Sequence, residues 1–117
     1  MNKIYYLSTC DTCKRIISEL DLPTNVELQD IKANPVSEKE LEELKTLAGS
    51  YEALFSKRAR LYKERDLKNK DLSEEDYKNL ILEHYTFLKR PVLVHGDDIF
   101  IGNAKKTVEA AKTSLHE

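Results

Sequence analysis

The sequence predicts an α/β fold: a four-stranded mixed sheet flanked by helices, with a helical insertion between a βαβ half and a ββα half. Three observations carry this. A short apolar segment, a stretch of helical periodicity and an alternating segment follow one another from Lys3 to Ile31. A hairpin pattern and then a helix close the chain from Val92 onward. Between them, about residues 36–88 read as helices. Strand, helix, strand implies a right-handed crossover and two parallel strands, and the hairpin adds two antiparallel ones.

Each element has its own signal. "KIYYL" (Lys3 to Leu7) is short, apolar and aromatic, and reads as a buried strand ended by Ser8 and Thr9. Cys10 opens a helix whose apolar positions, Cys13, Ile16, Ile17 and Leu20, have helical spacing. Pro23, Thr24 and Asn25 make a turn, and "VELQDI" (Val26 to Ile31) alternates as a second strand. Ser37 is an N-cap with Glu40 three residues on, Leu41, Leu44 and Leu47 or Ala48 form the apolar stripe, and Gly49 stops the helix. A shorter helix is allowed near Tyr51 to Phe55, whereas "RLYKERDL" is too short and mixed to assign. Ser73 and Asp76 repeat the capping pattern before a helix through Leu80, Ile81 and Leu82, with a break at His84 and a short helix over Tyr85 to Leu88. Val92 to Val94 and Ile99 to Ile101 are hairpin arms around a Gly96-Asp97-Asp98 turn, and Val108, Ala111 and Leu115 face inward from the last helix.

The 117 residues suit one domain, 1–117, able to bury a core without staples. Charged residues make up 34% and hydrophobic ones 40%, a globular and not a disordered balance. No apolar run nears the ~18 residues of a membrane span, and "MNKIYYLSTCDTC" predicts no secretory leader, so no membrane role is expected. The expected compartment is cytoplasmic, where thiols stay reduced. A net charge of −2 points to no direct nucleic-acid partner. Locally, Lys57 to Lys70 carries seven bases against two acids. That segment is either a solvated face or a basic rim for an oxyanion or acidic partner.

Both cysteines lie in "STCDTC", as Cys10 and Cys13. No second ligand pair exists, and His84, His95 and His116 are scattered, which argues against zinc and leaves no metal site expected. Cys13 falls on the apolar stripe. Cys10 falls at the strand-to-helix junction, where unsatisfied first-turn amides and the helix dipole favour thiolate over thiol. Cys13, one turn on, is placed to attack a bond formed at Cys10. A strand followed by Cys-x-x-Cys opening a helix signals thiol redox chemistry.

Taken in order, "YYLSTCDTCKR", "DIKANPVSEKEL", "LFSKRARLYKERDL", "LKRPVLV" and "IFIGN" resemble the arsenate reductase (ArsC-like) family of thioredoxin-like fold. That family also includes the Spx redox regulators of RNA polymerase. The resemblance covers nearly the whole chain. It implies Cys10 as nucleophile, Arg90 on the oxyanion and a cis bond from Arg90 to Pro91, facing the active cysteine. It places Arg58 (or Arg60 in its stead) and Thr12 in the oxyanion-binding set. Ser8 and Thr9 either hydrogen-bond near the thiolate or cap the loop. A planar, permanently charged arginine fork suits an oxyanion, although a surface cation ending a helix is the plain alternative for Arg90.

Two departures from the family pattern stand out. "IFIGNAKK" lacks the third arginine of glutaredoxin-coupled arsenate reductases, with Lys105 and Lys106 only loose substitutes. Cys13 stands where those enzymes carry a small hydroxyl residue. The resemblance therefore implies an arsenate reductase-like thiol oxidoreductase with no bound cofactor. In it Cys10 attacks an oxyanion such as arsenate, or a disulfide, and glutathione (as co-substrate), glutaredoxin or Cys13 resolves the adduct. The alternatives are an Spx-like regulator binding the RNA polymerase α-subunit and a glutathione-dependent reductase of another substrate.

Overall fold

The computed structural model describes residues 2–117. In chain order the elements are β1 (Asn2–Tyr6), α1 (Asp11–Leu20), β2 (Glu27–Asp30), α2 (Glu38–Ala48), α3 (Arg60–Glu64), α4 (Glu74–Glu83), β3 (Val92–His95), β4 (Asp98–Ile101) and α5 (Lys105–His116). Short 3-10 turns lie at Glu52–Leu54, Leu67–Asn69 and Tyr85–Phe87. The backbone forms two compact units. One runs up to Asn34 and resumes as Arg90–Glu117, and the other is Pro35–Lys89.

The first unit holds a four-stranded mixed sheet in the order β2-β1-β3-β4, the α/β arrangement of a thioredoxin-like fold. β1 runs parallel to β2 and antiparallel to β3, so Ile4 sits opposite Leu28 on one side and Leu93 on the other. Leu93 in turn faces Phe100 of β4. Ile4 and Leu93 pack with Ile16 and Leu20 of α1 and with Val108, Ala111 and Leu115 of α5. Each such aliphatic side chain contributes about 1.5–3 kcal/mol by leaving water. His116 Nε2 lies 2.8 Å from the Leu20 carbonyl oxygen, which joins the ends of α5 and α1. This packing sets the direction in which the N-terminus of α1 points.

The second unit is built on local rules. Ser37 and Ser73 each cap a helix with the reciprocal box, to Glu40 and Asp76 respectively. Gly49 ends α2 at φ 95°, in the left-handed region that glycine adopts without strain. Lys78 of α4 reaches Glu38 at 3.0 Å and Glu42 at 3.7 Å, both on α2. Glu74 accepts from the Tyr51 and Glu52 amides at 2.7 and 3.1 Å, which caps the 3-10 turn at Glu52. Phe55 stacks on Phe87 and meets Tyr62 and Tyr77. The unassigned "RLYKERDL" contains the one-turn helix α3, with Arg60 and Glu64 paired at 3.4 Å.

Several boundaries differ from the sequence pattern, and three of them have a clear hydrogen-bonding reason. Leu7 leaves the first strand because its carbonyl accepts from the Cys10 amide at 3.0 Å and closes a turn. Val26 leaves the second because its amide donates to the Pro23 carbonyl at 3.1 Å. The hairpin turn is Gly96-Asp97 alone, because His95 and Asp98 still pair. Gly96, at φ 63°, supplies the positive dihedral that a two-residue hairpin turn needs.

Leu93→Ala, at a position 2% exposed, is expected to lower unfolding stability by about 2–5 kcal/mol in a urea titration. Leu28→Ala, at an edge position 48% exposed, is expected to change it by less than about 0.5 kcal/mol in the same assay.

Candidate active site

The site begins where β1 gives way to α1. Cys10 has an extended backbone (φ −97°, ψ 111°) and its carbonyl accepts the first helical hydrogen bond, from the Lys14 amide at 3.2 Å. It is therefore the N-cap residue, but its side chain makes no cap hydrogen bond. A thiol is a weak acceptor there, whereas a thiolate is a strong one, and the first-turn amides have no acceptor within the helix.

Four groups act on the Cys10 sulfur besides its surroundings. Partial burial opposes ionisation. The Cys13 amide, the Cys13 thiol, the Arg90 charge and the Thr12 amide favour it, and together they hold the pKa below that of an ordinary thiol. Linkage gives the sign. The thiolate's contribution to stability is complete above the ordinary thiol pKa and is lost as pH falls through the lowered folded value.

Cys13 is the opposite case. It is 0% exposed, and burial, reinforced by the neighbouring Cys10, pushes its thiol up to about 11. At neutral pH it keeps its proton and serves Cys10 as a donor. Thus one helical turn separates an ionisable thiol from a locked one.

Arg90 is half-buried, and the peptide bond joining it to the buried Pro91 is cis. The Pro91 carbonyl accepts from the Gly102 amide at 2.9 Å, and Gly102 sits at φ 92° where a side chain would be strained. The structure thus brings Cys10, Thr12, Cys13, Arg90 and Pro91 into the first unit. Arg58 and Arg60 belong to the second, both exposed, with Arg60 engaged by Glu64. Lys105 and Lys106 are exposed at the start of α5.

The histidines have other partners. His84 accepts from the Thr86 amide, His95 meets the Ser114 hydroxyl, and His116 meets the Leu20 carbonyl. Among the described residues no group of three or more His, Cys, Asp or Glu side chains could hold a metal ion. No helix among them is long and apolar enough to cross a membrane.

Two residues outside the expected site set hold its backbone, Gly102 at Pro91 and Asp30 at Ser8. Gly102 lay within "IFIGN", a segment carrying the family resemblance. Asp30 lay at the head of "DIKANPVSEKEL" and accepts from the Ser8 amide at 3.1 Å. No spacing rule links Asp30 to Ser8, because the bond spans 22 positions.

Labelling of Cys10 by iodoacetamide is expected to titrate with a midpoint below the ordinary ~8.5. Arg90→Met, which removes the charge and keeps the stem, is expected to move that midpoint upward.

Comparison with known proteins adds to this geometry. A Staphylococcus aureus COL protein solved by NMR is 30% identical, with 94% of this chain and 97% of that one covered at a TM-score of 0.76. The arsenate reductase from Vibrio cholerae matches at 20% identity, with 97% of each chain covered and a TM-score of 0.77. An arsenate reductase (ArsC) related protein from Brucella melitensis matches at 21% identity, with 93% and 92% covered and a TM-score of 0.71. These last two similarities speak to the fold. No curated protein matches the sequence. The family match spans residues 5–111, from the first strand into the last helix, and the chain belongs to the ArsC family.

Proposed function

We propose that this chain is an arsenate reductase-like thiol oxidoreductase in which Cys10 is the nucleophile and an external thiol completes the reaction. The single observation that carries the reading is the placement of the two thiols, Cys10 at the N-cap of α1 and Cys13 buried one turn on. Cys10 is half-exposed with a lowered pKa, and Cys13 is buried with a raised one. A thiolate at the N-terminus of a helix, beside an arginine, is equipped to attack an electrophilic oxyanion.

The overall reaction balances with two thiols. Arsenate and two thiols give arsenite, one disulfide and water, with two electrons passing from sulfur to arsenic. Cys10 forms the bond to arsenic as an arsenate oxygen leaves as water. Arg90 offsets the negative charge of the oxyanion, and its planar fork can donate two parallel hydrogen bonds to it.

Cys13 supports an external reductant such as glutathione or glutaredoxin. A thiol with a pKa of about 11 is almost wholly protonated at neutral pH and attacks slowly. The same burial weakens the regulator reading, which needs Cys13 to form a disulfide with Cys10 as a switch.

Steady-state reduction of arsenate with glutathione and glutaredoxin tests the proposal. Cys10→Ser is expected to abolish turnover, and Arg90→Ala to lower it by roughly 10²-fold. Cys13→Ser, which retains a donor, is expected to keep most of the activity. Wild-type turnover no faster than Cys10→Ser would remove arsenate as substrate. Reduction of a glutathione mixed disulfide in its place would assign the general reductase. Loss in Cys13→Ser equal to that in Cys10→Ser would make Cys13 the resolving thiol.

A further inference from the structure

A thiolate at Cys10 is stabilised by the free first-turn amides of α1 only where the turn before the helix sets that residue at the helix N-terminus. The residues that fix that turn are therefore part of the site even if they never touch a substrate. The segment between β1 and α1 is a single turn, closed by the Cys10 amide donating to the Leu7 carbonyl at 3.0 Å, with Ser8 and Thr9 at its tip.

That turn is fastened to the neighbouring strand. β1 and β2 run parallel in a register that sets Tyr6 beside Asp30, and the Ile31 amide continues the ladder to the Tyr6 carbonyl at 2.9 Å. The end of β2 thus lies level with the point where the Cys10 turn departs. The Asp30 carboxylate uses this position. Its Oδ1 accepts from the Ser8 amide at 3.1 Å and from the Lys32 amide at 3.2 Å. The Ser8 hydroxyl also favours the ionised form of this carboxylate. One side chain therefore ties the second residue of the turn to the start of the loop that follows β2.

We propose that Asp30 is a positioning residue for Cys10: by holding Ser8, it fixes the turn that sets Cys10 at the N-cap of α1. The role rests on the reading of Cys10 as an activated thiol. It is a positioning role because Asp30 contacts Ser8 and not the reacting sulfur. The hydrogen bonds also keep the carboxylate ionised. The Ser8 hydroxyl is the chief cause, partial desolvation opposes it, and the Ser8 and Lys32 amides and the Lys32 charge assist. Its carboxyl is thus held below the usual carboxylate range.

The sign of one substitution separates positioning from charge. Removing a negative charge near a thiol, with nothing else altered, favours the thiolate and lowers its pKa. Loosening the turn carries the sulfur away from its donors and raises it. Asp30→Ala does both, and the proposal requires the second effect to win.

The experiment measures the rate of iodoacetamide labelling at Cys10, located by mass spectrometry, as a function of pH. Asp30→Ala is expected to raise the midpoint by roughly 0.5–1 pH unit, the scale of one lost hydrogen bond to the thiolate. Asp30→Asn keeps an oxygen acceptor for both amides while removing the charge, and is expected to bring the midpoint back to the wild-type value or below it. An unchanged or lowered midpoint in a folded Asp30→Ala protein, checked by circular dichroism, overturns the proposal. So does an Asp30→Asn midpoint that follows Asp30→Ala. If Asp30→Ala does not fold, Ser8→Ala replaces it. Removing that hydroxyl is expected to raise the midpoint by a smaller amount, and no rise overturns the proposal. Labelling needs no arsenate and no reductant, so the result stands apart from whether arsenate is the substrate.

Discussion

A thiolate in a half-buried place persists only where donors and positive charge outweigh the loss of water around it. At the junction of β1 and α1 the donors are backbone amides of the first helical turn, which no residue of the helix can accept from. Much else in the first unit follows from this interaction. Cys10 must leave the helical region, so that its carbonyl starts the helix while its sulfur stays outside it. The turn before it must be short and fixed. Arg90 must follow a separate path to the same place, and the adjacent Pro91 carbonyl is held by the Gly102 amide. Packing of Ile16 and Leu20 against Ile4 and Leu93 holds the helix that bears the amides.

The two cysteines show how strongly environment governs identical chemistry. They lie on the same helical turn, but one faces the site and the other faces the interior. Their pKa values move in opposite directions, and each movement reinforces the other. A protonated Cys13 can donate to an ionised Cys10, and an ionised Cys10 opposes ionisation of Cys13. Such a pair is suited to a nucleophile assisted by a donor more than to two interchangeable thiols. The Cys-x-x-Cys spacing alone does not distinguish these cases.

Legibility in the sequence followed the range of the interaction concerned. Both capping boxes, Ser37 with Glu40 and Ser73 with Asp76, are contacts three residues apart and were readable as letters. The apolar spacing of α1 and α5 likewise identified Ile16, Leu20, Val108, Ala111 and Leu115 as core positions. Strand ends were less readable, because Leu7 and Val26 are apolar enough for a strand and were drawn out of it by turns. Asp98 has the polarity of a turn residue, and only its pairing with His95 shows that it belongs to β4. Arg58 and Arg60 were placed by resemblance alone, and Arg60 turned out to have a partner in Glu64.

By itself the sequence determined the four strands, the four longer helices and their order, and it marked Cys10 as the residue at a helix N-terminus. These depend on periodicity, turn chemistry and capping, all of which act over a few residues. Only the tertiary structure decided that Cys13 is sealed from solvent and that the Pro91 carbonyl is held by Gly102. It also decided that the Cys10 turn hangs on a carboxylate from the next strand. Burial and hydrogen bonds between distant segments arise from strand register and helix packing, which bring together residues that no local pattern connects.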